Sequence, residues 1–257
     1  MKTFLFNILL SSAIAVPFIG MMSGCSDEDE NRFRPGSAQK PEPVTPEEGL
    51  DYTKLTAENH PRLLMNATDF TVLKDKISSN TSENLTLLHN TIIGLCNSKG
   101  MSSSALTYKL DASNKRILDV SREALLRIFT CAYAYRTTGD SKYLTHAEAD
   151  INAVCNFSDW NSKRHFLDVG EMATAVALGY DWLYNDLSET TRKKAADALL
   201  NFAFKPAQNK VWNLNFYTAT NNWNQVCNGG LVCGALATYE THPEEAKAMI
   251  EKALESN

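Results

Sequence analysis

The chain has 257 residues, of which 44% are hydrophobic, and its 30 acidic residues slightly outnumber its 25 basic ones. Residues 51–257 are enough to bury one sizeable core. The small negative net charge of −5 excludes a broad nucleic-acid-binding surface, so we expect no nucleic acid partner.

Residues 1–24 have the features of a secretory signal. Lys2 supplies a positive charge, residues 4–22 are mostly apolar, and small residues then precede Cys25. This pattern resembles the lipobox of bacterial lipoproteins, in which the cysteine is lipidated and becomes the mature N-terminus. A plain signal peptide or a short membrane helix are the alternatives. A membrane span needs about 20 apolar residues, whereas polar residues and Pro17 interrupt this stretch.

Residues 25–50 are predicted to be a tether. The acidic run at 26–30 resembles the surface-export signal of Bacteroidetes lipoproteins, although it is also what a solvated spacer requires. Residues 31–50 are polar and rich in proline, which favours a semi-rigid spacer over a packed core. We therefore predict a lipoprotein that is anchored in the bacterial outer membrane through the lipid on Cys25 and exposed at the cell surface.

Five further cysteines show no CxxC spacing, and the histidines are scattered. We predict no metal site and no cofactor in this segment. Most of these cysteines lie in apolar helical runs, where a free cysteine behaves as a small hydrophobic residue. We predict buried thiols, although a secreted protein leaves room for one disulfide. The five are Cys96, Cys131, Cys155, Cys227 and Cys233.

The region after the tether is predicted to be helical nearly throughout, without a competing strand pattern. Residues 119–136 place apolar side chains at a spacing near 3.6, and Gly139 ends that pattern. Ser188 is a predicted N-cap, and Pro243 fits the first turn of a helix. The predicted helices cover 68–78, 82–96, 119–136, 141–157, 168–184, 188–204, 223–240 and 243–255.

The last six of these helices form three similar pairs. The pairs begin at Asp119, Asp168 and Trp223, a spacing of about 50 residues that is typical of helical-hairpin arrays. The first helix of each pair is apolar on most sides and suits an inner ring, while the second has a polar face and suits an outer ring. We predict an all-α fold, an incomplete (α/α) toroid of helical hairpins over residues 51–257.

The chain stops at Asn257, directly after the third hairpin, so its last inner helix has no predicted neighbour. Either the helices close on themselves as a solenoid, or the sequence is the first part of a longer protein. We expect the second.

Residues 221–230 read NNWNQVCNGG and open an apolar helical run. Side-chain amides at a helix start can donate hydrogen bonds to an anion without adding a counter-charge, and the helix N-terminus adds backbone N–H groups and a partial positive charge. Such a site suits a carboxylate-bearing ligand such as a uronic acid sugar. The alternative is an ordinary N-cap and first turn.

Three stretches of sequence, in this order, resemble heparinase II/III-type polysaccharide lyases. The first is HPRLL at 60–64 followed by DFTVLK at 69–74. The second runs from Arg122 to Asp140, and the third, from Phe166 to Ser188, contains the distinctive GYDWLY. The resemblance covers about residues 60–257.

The resemblance implies an incomplete α/α toroid that a β-sandwich domain would follow, and β-elimination on an acidic, uronic-acid-containing polysaccharide. One group neutralises the uronate carboxylate, a Tyr or His base removes the C5 proton, and an acid protonates O4. Family members carry the neutralising group at the start of a toroid helix, which here matches Asn222 and Gln225. These two share one helix face, and we assign Asn222 as neutraliser and Gln225 as its partner.

The motif departs from the family because Trp223 stands where several members have His, and no base is evident within it. The family's catalytic Tyr, and the His residues and metal site of its second domain, would lie past residue 257. We therefore predict that the chain as given is inactive.

Other residues are candidate sugar contacts. Arg164 in the Lys163–Phe166 stretch could hold sulfates or carboxylates, with a solvated basic loop as the equal alternative. His165 could transfer a proton, although such a His is more often structural. Tyr217 and Trp223 could stack on sugar rings, but aromatic residues at helix starts are more often core.

Two other functions remain open from the sequence. An α/α-toroid glycoside hydrolase would need a pair of acids, for which Asp168 and Glu171 are candidates. We prefer to interpret them as a first-turn pair favoured by the helix dipole. A non-catalytic surface glycan-binding lipoprotein is the second alternative.

Overall fold

The computed structural model describes residues 50–209 and 215–256. The predicted signal at 1–24, the lipidation site Cys25 and all of the tether except Leu50 lie outside the described residues. Within the described part the structure is helical and has no strand, which confirms the all-α prediction. None of the helices in this part combines the length and the apolar character that a bilayer crossing requires.

The main helices begin and end close to their predicted positions. They are α1 (Ala67–Ser78), α2 (Glu83–Leu95), α3 (Leu118–Thr138), α4 (Ser141–Cys155), α5 (Phe166–Leu183), α6 (Glu189–Ala198), α7 (Asn222–Ala237) and α8 (Pro243–Ser256). Single 3-10 turns lie at Ala57–Asn59 and Asn215–Thr218. A π-turn, Cys96–Gly100, extends α2, while a second one, Leu199–Phe204, and the turn Lys205–Ala207 extend α6.

The predicted helix ends are confirmed at three positions. Gly139 ends α3 in the left-handed conformation with φ 74°, the Ser188 hydroxyl accepts a hydrogen bond from the Thr191 N–H at 3.2 Å, and Pro243 is the first residue of α8. Helix α7 stops at Ala237, earlier than predicted, and Glu240 beyond its end pairs with His60 at 2.9 Å.

The helices pack as consecutive hairpins, α3 with α4, α5 with α6 and α7 with α8. Helix α5 also lies between α3 and α7, and every one of its residues except Glu171 is buried. The second helix of that hairpin, α6, instead exposes one polar face. The apolar character of the first helix in a hairpin therefore reflects contact on most of its sides.

Helices α5 and α7 touch through their backbones. A Cβ atom on Gly230 would lie 2.1 Å from the Gly170 carbonyl oxygen, and one on Gly170 would lie 2.7 Å from the Val226 oxygen. Only glycine permits this approach, because a methyl group at either position has no space. The contact sets the spacing of the two helices that carry most of the candidate site.

The segment His60–Leu63 is hydrogen-bonded to the C-terminal end of α5. Asp181 is fully buried and accepts hydrogen bonds from the backbone N–H groups of Arg62 at 2.9 Å and Leu63 at 2.8 Å. His60 Nδ1 lies 2.6 Å from the same carboxylate, and its Nε2 lies 2.9 Å from Glu240 Oε1. The HPRL residues thus join the region before α1 to the ends of α5 and α7.

We expect this cluster to make stability depend on pH. Burial opposes a charged His60 ring, but the hydrogen bonds to Asp181 and Glu240 outweigh burial and raise its pKa. A raised folded-state pKa gives stability that is complete below the unfolded pKa and is lost as pH rises through the folded pKa. The unfolding free energy of wild type minus that of His60→Gln should therefore fall between about pH 5 and about pH 9, as measured by chemical denaturation.

His89 provides the control for that measurement, because burial lowers its pKa. The unfolding free energy of wild type minus that of His89→Gln should rise over the same pH interval. A His60 difference that stays flat or rises would show that the imidazole is not held as a cation between the two carboxylates.

Candidate functional site

Three segments meet at the N-terminal ends of α5 and α7. The His165 ring lies 4.5 Å from the Trp223 ring, and Phe166 stacks on Phe216 at 4.7 Å. These contacts bring the basic loop before α5 next to the first turn of α7. We call residues 163–165 and 222–225 the amide face.

Asn222 and Gln225 both lie exposed in the first turn of α7. The capping role falls to Asn221, whose Oδ1 accepts a hydrogen bond from the Trp223 N–H at 3.1 Å. The N-cap interpretation is therefore confirmed for Asn221, whereas Asn222 remains directed away from the packed interior. Gln225 Nε2 donates to Asn224 Oδ1 at 3.3 Å, which orients the second amide.

Asn224 is a positioning residue that the sequence did not single out. Its side chain is buried, and its Nδ2 donates to the Phe216 and Tyr217 carbonyls, both at 3.2 Å, and to Ser256 Oγ at 2.9 Å. One amide thus ties the turn at 215–218 and the end of α8 to the first turn of α7. The sequence spacing of the four amide residues, Asn221, Asn222, Asn224 and Gln225, does not indicate which of them faces inward.

The basic loop is held in a defined turn by Asn161. This residue adopts a left-handed conformation with φ 62°, and its carbonyl accepts from the Arg164 N–H at 3.0 Å and the His165 N–H at 2.9 Å. The side chains of Lys163 and Arg164 are exposed. A fixed backbone with exposed cations can attract an anion to the amide face.

His165 is partly buried between charged neighbours. Burial and the positive charge of Arg116 lower its pKa, so the ring is neutral near pH 7. Its Nδ1 lies 3.4 Å from Asp168 Oδ1 but makes no hydrogen bond there. A neutral imidazole at this place can accept a proton.

The two aromatic candidates differ in position. Trp223 is partly buried and packs against His165, so the structure brings these two predicted residues together. The Tyr217 ring lies 4.1 Å from Phe216, and Lys252 approaches its face at 5.7 Å, which places it toward α8. Burial raises the pKa of Tyr217 to about 12, so it is poorly suited to act as a base near neutral pH.

The two acids at the start of α5 are engaged in structural contacts. Asp168 is fully buried and accepts from the Ile117 N–H at 2.8 Å, from Arg116 Nη2 at 2.9 Å and from Asn161 Nδ2 at 3.0 Å. Glu171 pairs with Arg122 on α3 at 3.0 Å, although burial outweighs this cation and raises the Glu171 pKa. These contacts argue against a glycosidase carboxylate pair, because Asp168 has both oxygens occupied.

A groove of about 470 Å³ lies between α4 and α6 with its extension, and it includes Cys155, Lys193 and Phe202. It shares no residue with the amide face. All five cysteines of the described part are buried free thiols, which confirms the prediction of buried thiols.

Among residues 50–209 and 215–256 no group of three or more His, Cys, Asp or Glu side chains is placed to hold a metal ion. A scan against models of known protein families found no match, and a search of curated proteins found none either. The resemblance to polysaccharide lyases therefore rests on the sequence stretches quoted above.

Proposed function

We propose that this chain is the helical part of a polysaccharide lyase-type protein and that its amide face binds uronic-acid-containing polysaccharide. The observation that carries the proposal is the exposure of Asn222 and Gln225 on one face of the first turn of α7. Had these amides pointed into the core, no ligand carboxylate could reach them.

The packing of the hairpins supports an incomplete (α/α) toroid. Residues of the α3 and α5 hairpins contact each other at sequence separations near the repeat length. Arg122 pairs with Glu171, 49 residues away, and the Tyr135 hydroxyl donates to Asp186, 51 residues away, at 2.9 Å. A regular rotation from one hairpin to the next produces such contacts.

The electrostatics of the amide face suit a carboxylate. The amide groups donate hydrogen bonds without adding negative charge, and the N-terminus of α7 contributes a partial positive charge. Arg164 and Lys163 add exposed cations in the loop that forms the other part of the amide face. A hydrogen bond to a charged group contributes about 1.5–3 kcal/mol, so two amides on one carboxylate could account for specific recognition of uronates.

Neutralising the carboxylate is also the first requirement of β-elimination, because it stabilises the charge that develops when the C5 proton leaves. Within the amide face, His165 is the group fit to accept a proton, whereas the neighbouring Tyr217 is not, because its pKa is raised to about 12. Binding is thus the step that the geometry supports best, and elimination is what the sequence resemblance adds. A lipid on Cys25 would place this face outside the outer membrane, where acidic glycans arrive.

The double variant Asn222→Ala/Gln225→Ala is expected to weaken polysaccharide binding at least about tenfold. Both substitutions remove exposed amides and leave the buried Asn224 in place, so the fold should be unchanged. Calorimetric titration with heparan sulfate, chondroitin sulfate and alginate measures the loss, with circular dichroism as the check on folding.

Two further variants serve as matched controls. Asn90→Ala on α2 and Asn185→Ala after α5 remove exposed amides elsewhere and should leave the affinity unchanged. Equal affinities for wild type and the double variant would contradict the proposal. New ultraviolet absorbance from an unsaturated uronate would indicate elimination. New reducing ends without that absorbance would indicate hydrolysis, and the absence of both signals would indicate binding without cleavage.

A further inference from the structure

Two buried cysteines from separate helices lie in contact. Cys96 begins the π-turn after α2, and Cys131 lies in the middle of α3. Their Sγ atoms are 3.5 Å apart, and neither residue has any solvent-exposed surface. A disulfide bond is about 2.05 Å long, so the sulfurs need to approach by roughly 1.5 Å, which small side-chain rotations can supply.

The surrounding structure holds the π-turn against α3. Gly100 ends the turn, and a Cβ atom there would lie 2.5 Å from Thr130 Oγ1. The absence of a side chain at Gly100 therefore lets the turn lie close to α3. Asn97 within the same turn accepts a hydrogen bond from the Tyr143 hydroxyl of α4 at 2.9 Å. The approach of the two sulfurs is thus maintained by contacts on both sides of the turn.

We propose that Cys96 and Cys131 form a redox-active pair that closes into a disulfide and joins the end of α2 to α3. The oxidant is a second disulfide, either that of a thiol–disulfide oxidoreductase or a small-molecule disulfide. The predicted secretory signal is consistent with a compartment in which such oxidants act.

The exchange proceeds in two balanced steps, and it requires local opening of the turn, because both sulfurs are buried in the closed structure. The Cys96 thiol gives up its proton, and the thiolate attacks one sulfur of the oxidant's disulfide, which releases the other sulfur as a thiolate. Cys131 then loses its proton and attacks the Cys96 sulfur, which expels the oxidant's second thiolate. The protein loses two electrons and two protons, and the oxidant's disulfide becomes two thiols.

The thiol contact assigns the first attack to Cys96. Its hydrogen bond with Cys131 lowers the Cys96 pKa, while the same contact and burial raise the Cys131 pKa. Burial raises the pKa of Cys155 and of Cys233 to about 12. In the described part of the chain, no thiol pair other than Cys96 and Cys131 lies within hydrogen-bonding distance.

The test uses the full chain, reduced and then equilibrated with oxidised glutathione in mild denaturant so that buried thiols become accessible. Free thiols are alkylated under full denaturation, and the peptides are mapped by mass spectrometry. The expected result is a peptide pair cross-linked between Cys96 and Cys131, with the other three buried cysteines alkylated. Removing the cross-link with a reductant should lower the melting temperature by about 5–15 °C, because the bond closes a long loop.

Two variants separate the proposal from a general effect of oxidation. Cys155→Ser should keep both the cross-link and the melting shift, whereas Cys96→Ser should lose both. If Cys96→Ser does not fold, the peptide map of the unmodified chain still decides. Full alkylation of Cys96 and Cys131 after oxidation, or a cross-link to any other cysteine, would overturn the proposal.

Discussion

Asp181→Asn is expected to lower the free energy of unfolding by about 3–5 kcal/mol. The carboxylate is fully buried and accepts hydrogen bonds from two backbone N–H groups, those of Arg62 and Leu63, while His60 Nδ1 lies 2.6 Å away. An amide of the same shape removes the negative charge and directs an NH₂ group toward groups that are themselves donors. The buried His60 ring, whose pKa is raised, then loses one of its two carboxylate partners, which costs far more than the loss of an exposed ion pair would.

Guanidinium denaturation of wild type and variant measures this effect, and Asp75→Asn provides the matched control. Asp75 lies exposed on α1, so Asp75→Asn should change the free energy of unfolding by no more than about 0.5 kcal/mol. If Asp181→Asn lowers the free energy of unfolding by less than about 1 kcal/mol, Asp181 does not have the structural role assigned to it. At a site this fully buried, no water is present to accept the hydrogen bonds that the carboxylate accepts in wild type.

Gly230→Ala is expected to destabilise the protein by about 2–4 kcal/mol, at or above the usual cost of overpacking. The added methyl group would lie 2.1 Å from the Gly170 oxygen and 2.7 Å from the Gly170 Cα atom. Both obstacles belong to the backbone of α5 and cannot move aside as a side chain would. Helix α7 must shift as a whole, and the contacts of Phe166 and His165 with the elements around α7 are disturbed with it.

Gly94→Ala is the control because nothing lies within 4 Å of the position that its Cβ atom would occupy. Alanine there should raise stability by up to about 1 kcal/mol, since it favours the helix more than glycine does. The melting temperature and the free energy of unfolding should therefore fall in Gly230→Ala and rise in Gly94→Ala. Stabilisation by Gly230→Ala would show that α5 and α7 are not in backbone contact.

Much of the fold follows from local sequence. The 3.6-residue spacing of apolar side chains predicts the helices, and Ser188, Gly139 and Pro243 mark ends that the structure confirms. These signals act within one or two turns of chain, so they can be recognised without knowledge of tertiary contacts. The nearly complete burial of α5 was also foreseeable, because its sequence is apolar on most sides.

Contacts between distant residues could not be predicted in the same way. Nothing local distinguishes Asp181 from an exposed acid, because its role depends on His60, which lies 121 residues earlier in the chain. Within the candidate site, Asn222 and Asn224 have similar neighbours, yet Asn222 is exposed and Asn224 is buried. The helix phase relative to the turn at 215–218 decides which amide faces inward, and that phase is set by packing.

The most direct test of carboxylate recognition at the amide face compares one polysaccharide in two chemical forms. Polyuronate and its carboxyl-reduced derivative have the same backbone and differ in the group that Asn222 and Gln225 are proposed to bind. Calorimetric titration should show affinity for the native polymer at least about tenfold higher with wild type, and much less preference with Asn222→Ala/Gln225→Ala. Equal affinity of wild type for both polymers would contradict carboxylate recognition at the amide face. A preference for the native polymer that the double variant retains in full would contradict it as well.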